Sequence, residues 1–401
     1  MQKLTDRILT TGLTGSDLIH VVKINDLSQS PEGSSYKAEL SQLNSIFSGT
    51  TTLWSAGTGT YSLVPKNHNA IASGYNSMAV GDGSIASGYL SFAFGENAIA
   101  SGDYSYAIGE NIQSTGYTSH AEGNNTRAYG DSSHAEGNST IASETTSHAE
   151  GTSTLASGIA AHAEGTSTIA SGLGSHAEGT GTTASGLVSH AEGNSTIASG
   201  NTSHAEGNST IAGGEYSHAE GWLSKATNTS AHAEGQQTTA SGEYSHAEGL
   251  STRAINTSAH AEGQQTTASG LVSHAEGTNT TANGDYSHAE GYNTTSFGTY
   301  SHAEGYFTQA IGVFSHAGGS GTTANGEASF VHGLNSEADG EYSIVLGRNI
   351  TGSTADTTYV DRLSIKTYGP YVDDAAADAD ILLPSGGLYT ITGGRTIYLK
   401  P

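Results

Sequence analysis

Cysteine is absent from the 401 residues, and methionine and tryptophan occur only twice each. Without cysteine there is no disulfide framework, so nothing is learned of the redox compartment. Basic residues are scarce: 13 Lys and Arg stand against 38 Asp and Glu, a formal charge of −25, and protonating all 18 histidines would still leave the chain acidic. Between Ser119 and Gly347 the only basic residues besides histidine are Arg127, Lys225 and Arg253. A phosphate-backbone partner is therefore not expected, and no nucleic acid is assigned. No stretch approaches the ~20 apolar residues of a membrane-spanning helix, so membrane insertion is not expected either. The opening MQKLTDRILTTGLTGSD lacks the basic start and apolar run of a signal peptide, which points to a soluble chain not exported by the usual route. An apolar share of 34% is too small for the core of an ordinary α/β enzyme of this length.

What the chain has instead is glycine, 55 residues of it, and a strict period. Histidine stands at His120, His134, His148, His162, His176, His190, His204, His218, His232, His246, His260, His274, His288, His302 and His316, every step 14 residues. Fourteen of the fifteen open the motif His-Ala-Glu-Gly, with glutamates that include Glu122, Glu136, Glu150, Glu164, Glu178, Glu192, Glu206 and Glu220; the last reads His316-Ala317-Gly318-Gly319. Disorder keeps no such period, which marks one small unit stacked on itself.

Each 14-residue unit splits into two similar sevens, as in Ser189-His190-Ala191-Glu192-Gly193 and Thr196-Ile197-Ala198-Ser199-Gly200. Strand side chains alternate between faces, so Ser/Thr and Ala point one way and the His/Glu or Ile/Ser pair the other. Six places after each His the residue is Thr, with Ser224 the one exception, and eight after it is Ala, with Ser296 the exception. Such small, uniform residues suit the inside of a very narrow coil. Glycine is expected at both turns because the chain reverses there with φ > 0. At the second turn Asn228, Asn256 and Glu144 replace it; asparagine tolerates such φ, and Glu144 has no explanation on this basis. A helix is excluded by Gly at every seventh residue beside β-branched neighbours. The expected fold class is all-β, a parallel β-roll whose twenty or so coils, at ~4.8 Å each, would reach on the order of 100 Å.

The frame outlasts the histidines. Stepping back by 14, the His position becomes Tyr106, Phe92 and Met78; stepping forward it becomes Phe330 and Ile344, with His332 and Leu346 at the Glu position. Large apolar residues in register on one face mean a covered face, and nothing inside a narrow roll can cover it. A partner chain is expected to do so, with the His and Glu columns and these apolar residues as the interface and an obligate oligomer as the result.

Asn76-Ser77-Met78-Ala79-Val80-Gly81 and Ser105-Tyr106-Ala107-Ile108-Gly109 resemble the Asn-Ser-Val-Ala-Ile-Gly repeat of YadA-like heads, the heads of trimeric autotransporter adhesins. Ser343-Ile344-Val345-Leu346-Gly347 fits with Val for Ala. The resemblance covers roughly residues 70–347 and implies a left-handed parallel β-roll, three chains about a three-fold axis. His-Ala-Glu-Gly departs from it by putting two ionisable residues where the family has apolar ones. Roll segments of this type also look like parts of bacteriophage tail fibres and other virion appendages. Residues 12–47, one strand, a Pro/Gly/Ser turn and a second strand, are similar to short N-terminal modules of phage fibre proteins.

The expected organisation is an attachment or capping module at 1–50, a connector at 51–69, the rod at 70–350 with its His/Glu coils at 119–319, and a C-terminal tip at 351–401. In the tip, Tyr359 to Ile365 alternates like a strand, Asp373 to Ala377 resembles a helix start, and Leu388 to Leu399 around Gly393-Gly394 signals a hairpin. For the His/Glu columns the first reading is structural, an interleaved polar ladder that sets register. The second is ion binding: the fifteen histidines as an axial column where three chains meet and hold a transition metal. Catalysis ranks last, because no coil is distinguished from its neighbours and no catalytic motif occurs, so no enzyme and no cofactor are expected beyond ions on the axis. Tyr104, Tyr216, Tyr244, Tyr286 and Tyr300, two places before the His position, are expected to pack at coil corners, with a carbohydrate-binding stripe as the alternative. Together these give a homotrimeric virion fibre or spike that docks on other virion proteins through its N-terminal module and meets a host-surface receptor or glycan at its tip. The alternative is a bacterial cell-surface adhesin head anchored through another chain. An ice-binding solenoid is ranked below both, since its threonines would have to face outward.

Overall fold

A computed structural model describes residues 18–23, 34–39, 54–66, 69–361, 368–371, 388–391 and 397–399. The chain forms two compact units, residues 1–202 and 203–401. No helix occurs among the described residues, and the fold class is the expected one: an all-β, parallel β-roll with 14-residue coils.

The first unit opens with an antiparallel pair, Leu18–Lys23 against Ser34–Glu39. A hairpin of Trp54–Ala56 and Leu63–Pro65 follows, in the region expected to be a plain connector, and Leu63 pairs in parallel with Met78 to start the roll. From there each coil contributes one longer strand, such as His162–Thr166, and one two-residue strand, such as Ile169–Ala170. Each strand pairs in parallel with its equivalent 14 residues on, so His162 lies beside His176 and Ala170 beside Ala184.

The second unit repeats this plan from His204–Asn208 to Thr358–Val360. The frame thus runs past the expected boundary at 350: Ile344, Val345 and Leu346 pair with Thr358, Tyr359 and Val360. Tyr359 and Ile350 pack on the buried Val331 and Val345, filling the coil end with larger side chains than the alanines used elsewhere. Gly352 takes the alanine slot there because a Cβ would come within 2.6 Å of the Tyr359 ring. Only Thr358–Val360 of the expected Tyr359-to-Ile365 strand is seen, residues 362–367 lying outside the described ones. In the tail Leu388 pairs antiparallel with Leu399, as the hairpin signal requires, and Tyr368–Tyr371 adds a third strand. The expected helix start at 373–377 also lies outside the described residues.

The interior is as small as the sequence implied. The alanines of both strands, and the Ser and Thr before them, are fully or almost fully buried. With so little apolar area, the coils are held mainly by hydrogen bonds between neighbours. The strand amide of His120 donates to Ser133 O at 2.9 Å, and corner amides donate backwards, Ser139 to Asn124 O at 2.8 Å. Those corners carry non-glycine residues at φ near +55°, including Ser139, Thr146, Val188 and Tyr244. A left-handed backbone costs a side-chain-bearing residue roughly 1–2 kcal/mol, and the inter-coil bonds hold it there.

The two glycine columns serve different ends. After Glu, the glycines have φ from +105° to +115°, as expected. The second-turn glycines do not; Gly172 is needed because a Cβ would sit 1.9 Å from Gly186 O on the next coil. The φ > 0 explanation fails at this turn, and nothing in the structure explains how Glu144, Asn228 and Asn256 fit a side chain against the next coil. Glu144 faces no left-handed penalty and turns its amide to Ser147 Oγ at 3.2 Å. Asn228 and Asn256 accept the next residue's N–H on Oδ1 at 2.8 Å.

Buried Thr hydroxyls, among them Thr168 Oγ1, have no hydrogen-bond partner. An unpaired hydroxyl costs more buried than a methyl of the same shape. Thr168→Val is therefore expected to leave the roll equally stable or about 1 kcal/mol more so, read as an unchanged or raised urea midpoint; a clear loss of stability would show that the hydroxyl is bonded.

Candidate functional site: the histidine and glutamate stripe

The longer strand of each coil buries its alanine and turns the residues on either side outward, so the in-register pairing makes continuous columns of His and of Glu within each unit. Neighbouring imidazoles stack with centroids 4.8 Å apart for His134 and His148 and 4.6 Å for His260 and His274, which is the strand spacing itself. The planes of His162 and His176 are parallel, whereas His204 and His218 are tilted by 42°.

In many coils the carboxylate leans toward a ring without closing a good hydrogen bond. His120 Nε2 lies 3.5 Å from Glu122 Oε2, and His162 Nε2 lies 3.9 Å from Glu164 Oε2. In the last coils the partner changes: His288 approaches Glu276 of the preceding coil, and His302 approaches Glu290, both at 3.4 Å. In a single chain the His162 and Glu164 side chains are 35% and 44% exposed. Yet Nε2 of His148, His162 and His274 is shielded from solvent and accepts or donates no hydrogen bond. The rings thus sit half-buried with an unsatisfied nitrogen.

Burial pushes the pKa of His120, His148, His162, His232, His260, His274 and His316 below the ordinary histidine value, and neighbouring imidazoles push the same way. The nearby glutamates oppose the shift without cancelling it. At these seven positions burial favours neutral imidazole.

The apolar residues that continue the stripe are on the same outward face. Phe94 and Tyr106 are 48% and 49% exposed, and Ile344 and Leu346 about as open. Met78, Phe92 and Phe330 are half-buried. The family model described as the YadA head domain repeat (two copies) matches residues 66–91, 86–111, 149–175, 163–189, 191–217, 261–287 and 275–301. These coils match the YadA head repeat. A comparison with curated proteins finds no match. The matches include both the apolar coils and the His-Ala-Glu-Gly coils, so the ionisable pair is a variant of the YadA head repeat and not a different unit. The YadA head is a structural, adhesin-type roll, and a stripe that repeats the same pair coil after coil offers no singular cleft for catalysis.

The tyrosines expected at corners are there. Tyr216 and Tyr244 are at φ +56° and 59% exposed, and Tyr286 stacks on Tyr300, which stacks on Phe314. The threonine column is buried, as its inward-facing place in the repeat requires. Sequence reasoning missed the left-handed corners, which any residue type occupies and which therefore leave no mark. It also missed the Glu304, His316 and His332 group, for which a signal existed: the single break at Gly318, with His332 falling 14 residues later in the Glu frame.

Proposed function

We propose that the chain is a homotrimeric fibre or spike of a virion, with the His/Glu stripe and its apolar continuation as the contact between copies. The observation that carries this is the stripe: half-exposed rings, with shielded, unbonded Nε2 atoms at His148, His162 and His274 among others, flanked in register by outward Phe, Tyr, Ile and Leu. Sister chains supply both the missing hydrogen-bond partners and the apolar cover, and closed cyclic symmetry gives every stripe the same neighbour. Glu122 through Glu220 and their histidines then set register along the interface, with Met78, Phe92, Tyr106, Phe330 and Ile344 sealing it.

In this proposal residues 1–50 attach to other virion proteins, 51–69 lead into the roll, 70–350 act as spacer and 351–401 form the tip that meets a host receptor or glycan. The phage assignment rests on the His-Ala-Glu-Gly form of the repeat and on the N-terminal strand pair, Leu18–Lys23 with Ser34–Glu39. The second reading, a bacterial adhesin head, rests on the family of the repeat itself. Light scattering of the purified protein is expected to give three times the 40.7 kDa chain mass; the mass of one chain would contradict the proposal. An antibody raised against the roll is expected to label appendages of a phage particle by electron microscopy. Labelling of a bacterial outer surface instead would favour the adhesin.

A further inference from the structure

The end of the histidine column differs from the rest. Glu304 lies in the last His-Ala-Glu-Gly coil, the next coil has Gly318 in the Glu position, and the coil after that has His332 there. The two side chains lean into the space Gly318 leaves. A Cβ at 318 would come within 2.6 Å of His332 Nδ1 and 2.9 Å of Glu304 Oε1. Glu304 Oε1 is 3.4 Å from His316 Nε2 and 4.0 Å from His332 Nδ1, and all three donors fall within 4.8 Å of one another.

We infer that Glu304, His316 and His332 form a binding site for one divalent transition-metal ion of the zinc class, placed over Gly318. Two imidazole nitrogens and a carboxylate oxygen are a donor set that such ions take, with a position left for water or another ligand. Directionality sets this group apart from the others along the stripe. His162, Glu164 and His176 also bring three donors together, but their rings are parallel, so the in-plane lone pairs run side by side instead of converging. His316 is turned 78° from His302 and stacked on Phe330 at 4.8 Å, which fixes its ring, while His332 approaches from the other column. All three donors belong to one chain, so the site does not depend on the proposed trimer or on the fibre role.

The test is calorimetric titration of the intact protein with Zn²⁺ alone at neutral pH. One tight site per chain is expected, weakened at least about tenfold by His332→Ala and by Gly318→Glu, and unchanged by His162→Ala. Gly318→Glu restores the repeat's own residue at a backbone position without positive φ and displaces only flexible side-chain ends, and an unaltered circular dichroism spectrum checks that it folds. No binding by the parent, binding that grows with the number of His/Glu coils, or equal affinity in both variants would overturn the inference.

Discussion

Gly179→Ala is expected to break the roll, whereas Gly181→Ser, two residues away, is expected to leave it intact. Both glycines have positive φ, +106° and +65°, so conformational preference alone would rank them together. Packing separates them. A Cβ on Gly179 would sit 2.1 Å from the carbonyl oxygen of Gly193 and 3.0 Å from its nitrogen, backbone atoms of the next coil that cannot move without opening the sheet. At Gly181 the nearest atom is Ser195 Oγ, 3.7 Å away. The equivalent positions one coil to either side are Ser167 and Ser195, at φ +57° and +56°, so a serine already lives in that conformation. The expected cost of Gly179→Ala is above about 4 kcal/mol, against about 0.5 kcal/mol or less for Gly181→Ser. Urea unfolding followed by circular dichroism measures both; similar midpoints for the two variants would mean that coils are not in contact through the glycine column.

The second large effect is with pH. Burial lowers the pKa of His120, His148, His162, His232, His260, His274 and His316 in the folded chain, so the unfolded chain binds more protons at these positions below the ordinary value of ~6.5. Stability then rises with pH: it is complete above ~6.5 and is lost as pH falls below that value toward the lowered folded pKa values. The carboxylates oppose this only in part, and burial is the larger influence at each shifted site. Pairing with glutamate alone would place the loss near the carboxylate value of ~4.3; desolvation of stacked rings, invisible in a repeat motif, moves its start to the histidine range. Melting temperature is expected to fall between pH 7 and 5, and the repetition of the pair makes the fall steep. A melting temperature flat down to pH 5 that drops only near pH 4 would return control to the glutamates.

How much of this was legible follows from what repetition records. A period of 14, with Ala and Thr at fixed offsets, determines which side chains face inward, and Ala163 and Thr168 are fully buried as that pattern requires. The His and Glu columns were equally visible, since parallel pairing in register follows from a constant period. The reasons behind the glycines were not, because a residue required by close approach and one required by φ are the same letter. Glu144, a side chain at ordinary φ, shows that φ is not what this column requires, and nothing in the structure explains how it clears the next coil. The changed pairing of His288 and His302 with the preceding glutamate had no sequence mark, being a choice of side-chain direction on an identical motif.

A single cysteine placed in this cysteine-free chain reports directly on whether sister copies cover the stripe. In one chain Glu164 is 44% exposed and Ser167, at a coil corner, is exposed as well, so Glu164→Cys and Ser167→Cys would both react with a bulky maleimide if the chain stood alone. With the stripe buried between copies, the cysteine at 164 is expected to stay unlabelled in the native protein and to react only after unfolding, while the one at 167 reacts at once. Rapid native labelling at both positions would contradict a covered stripe.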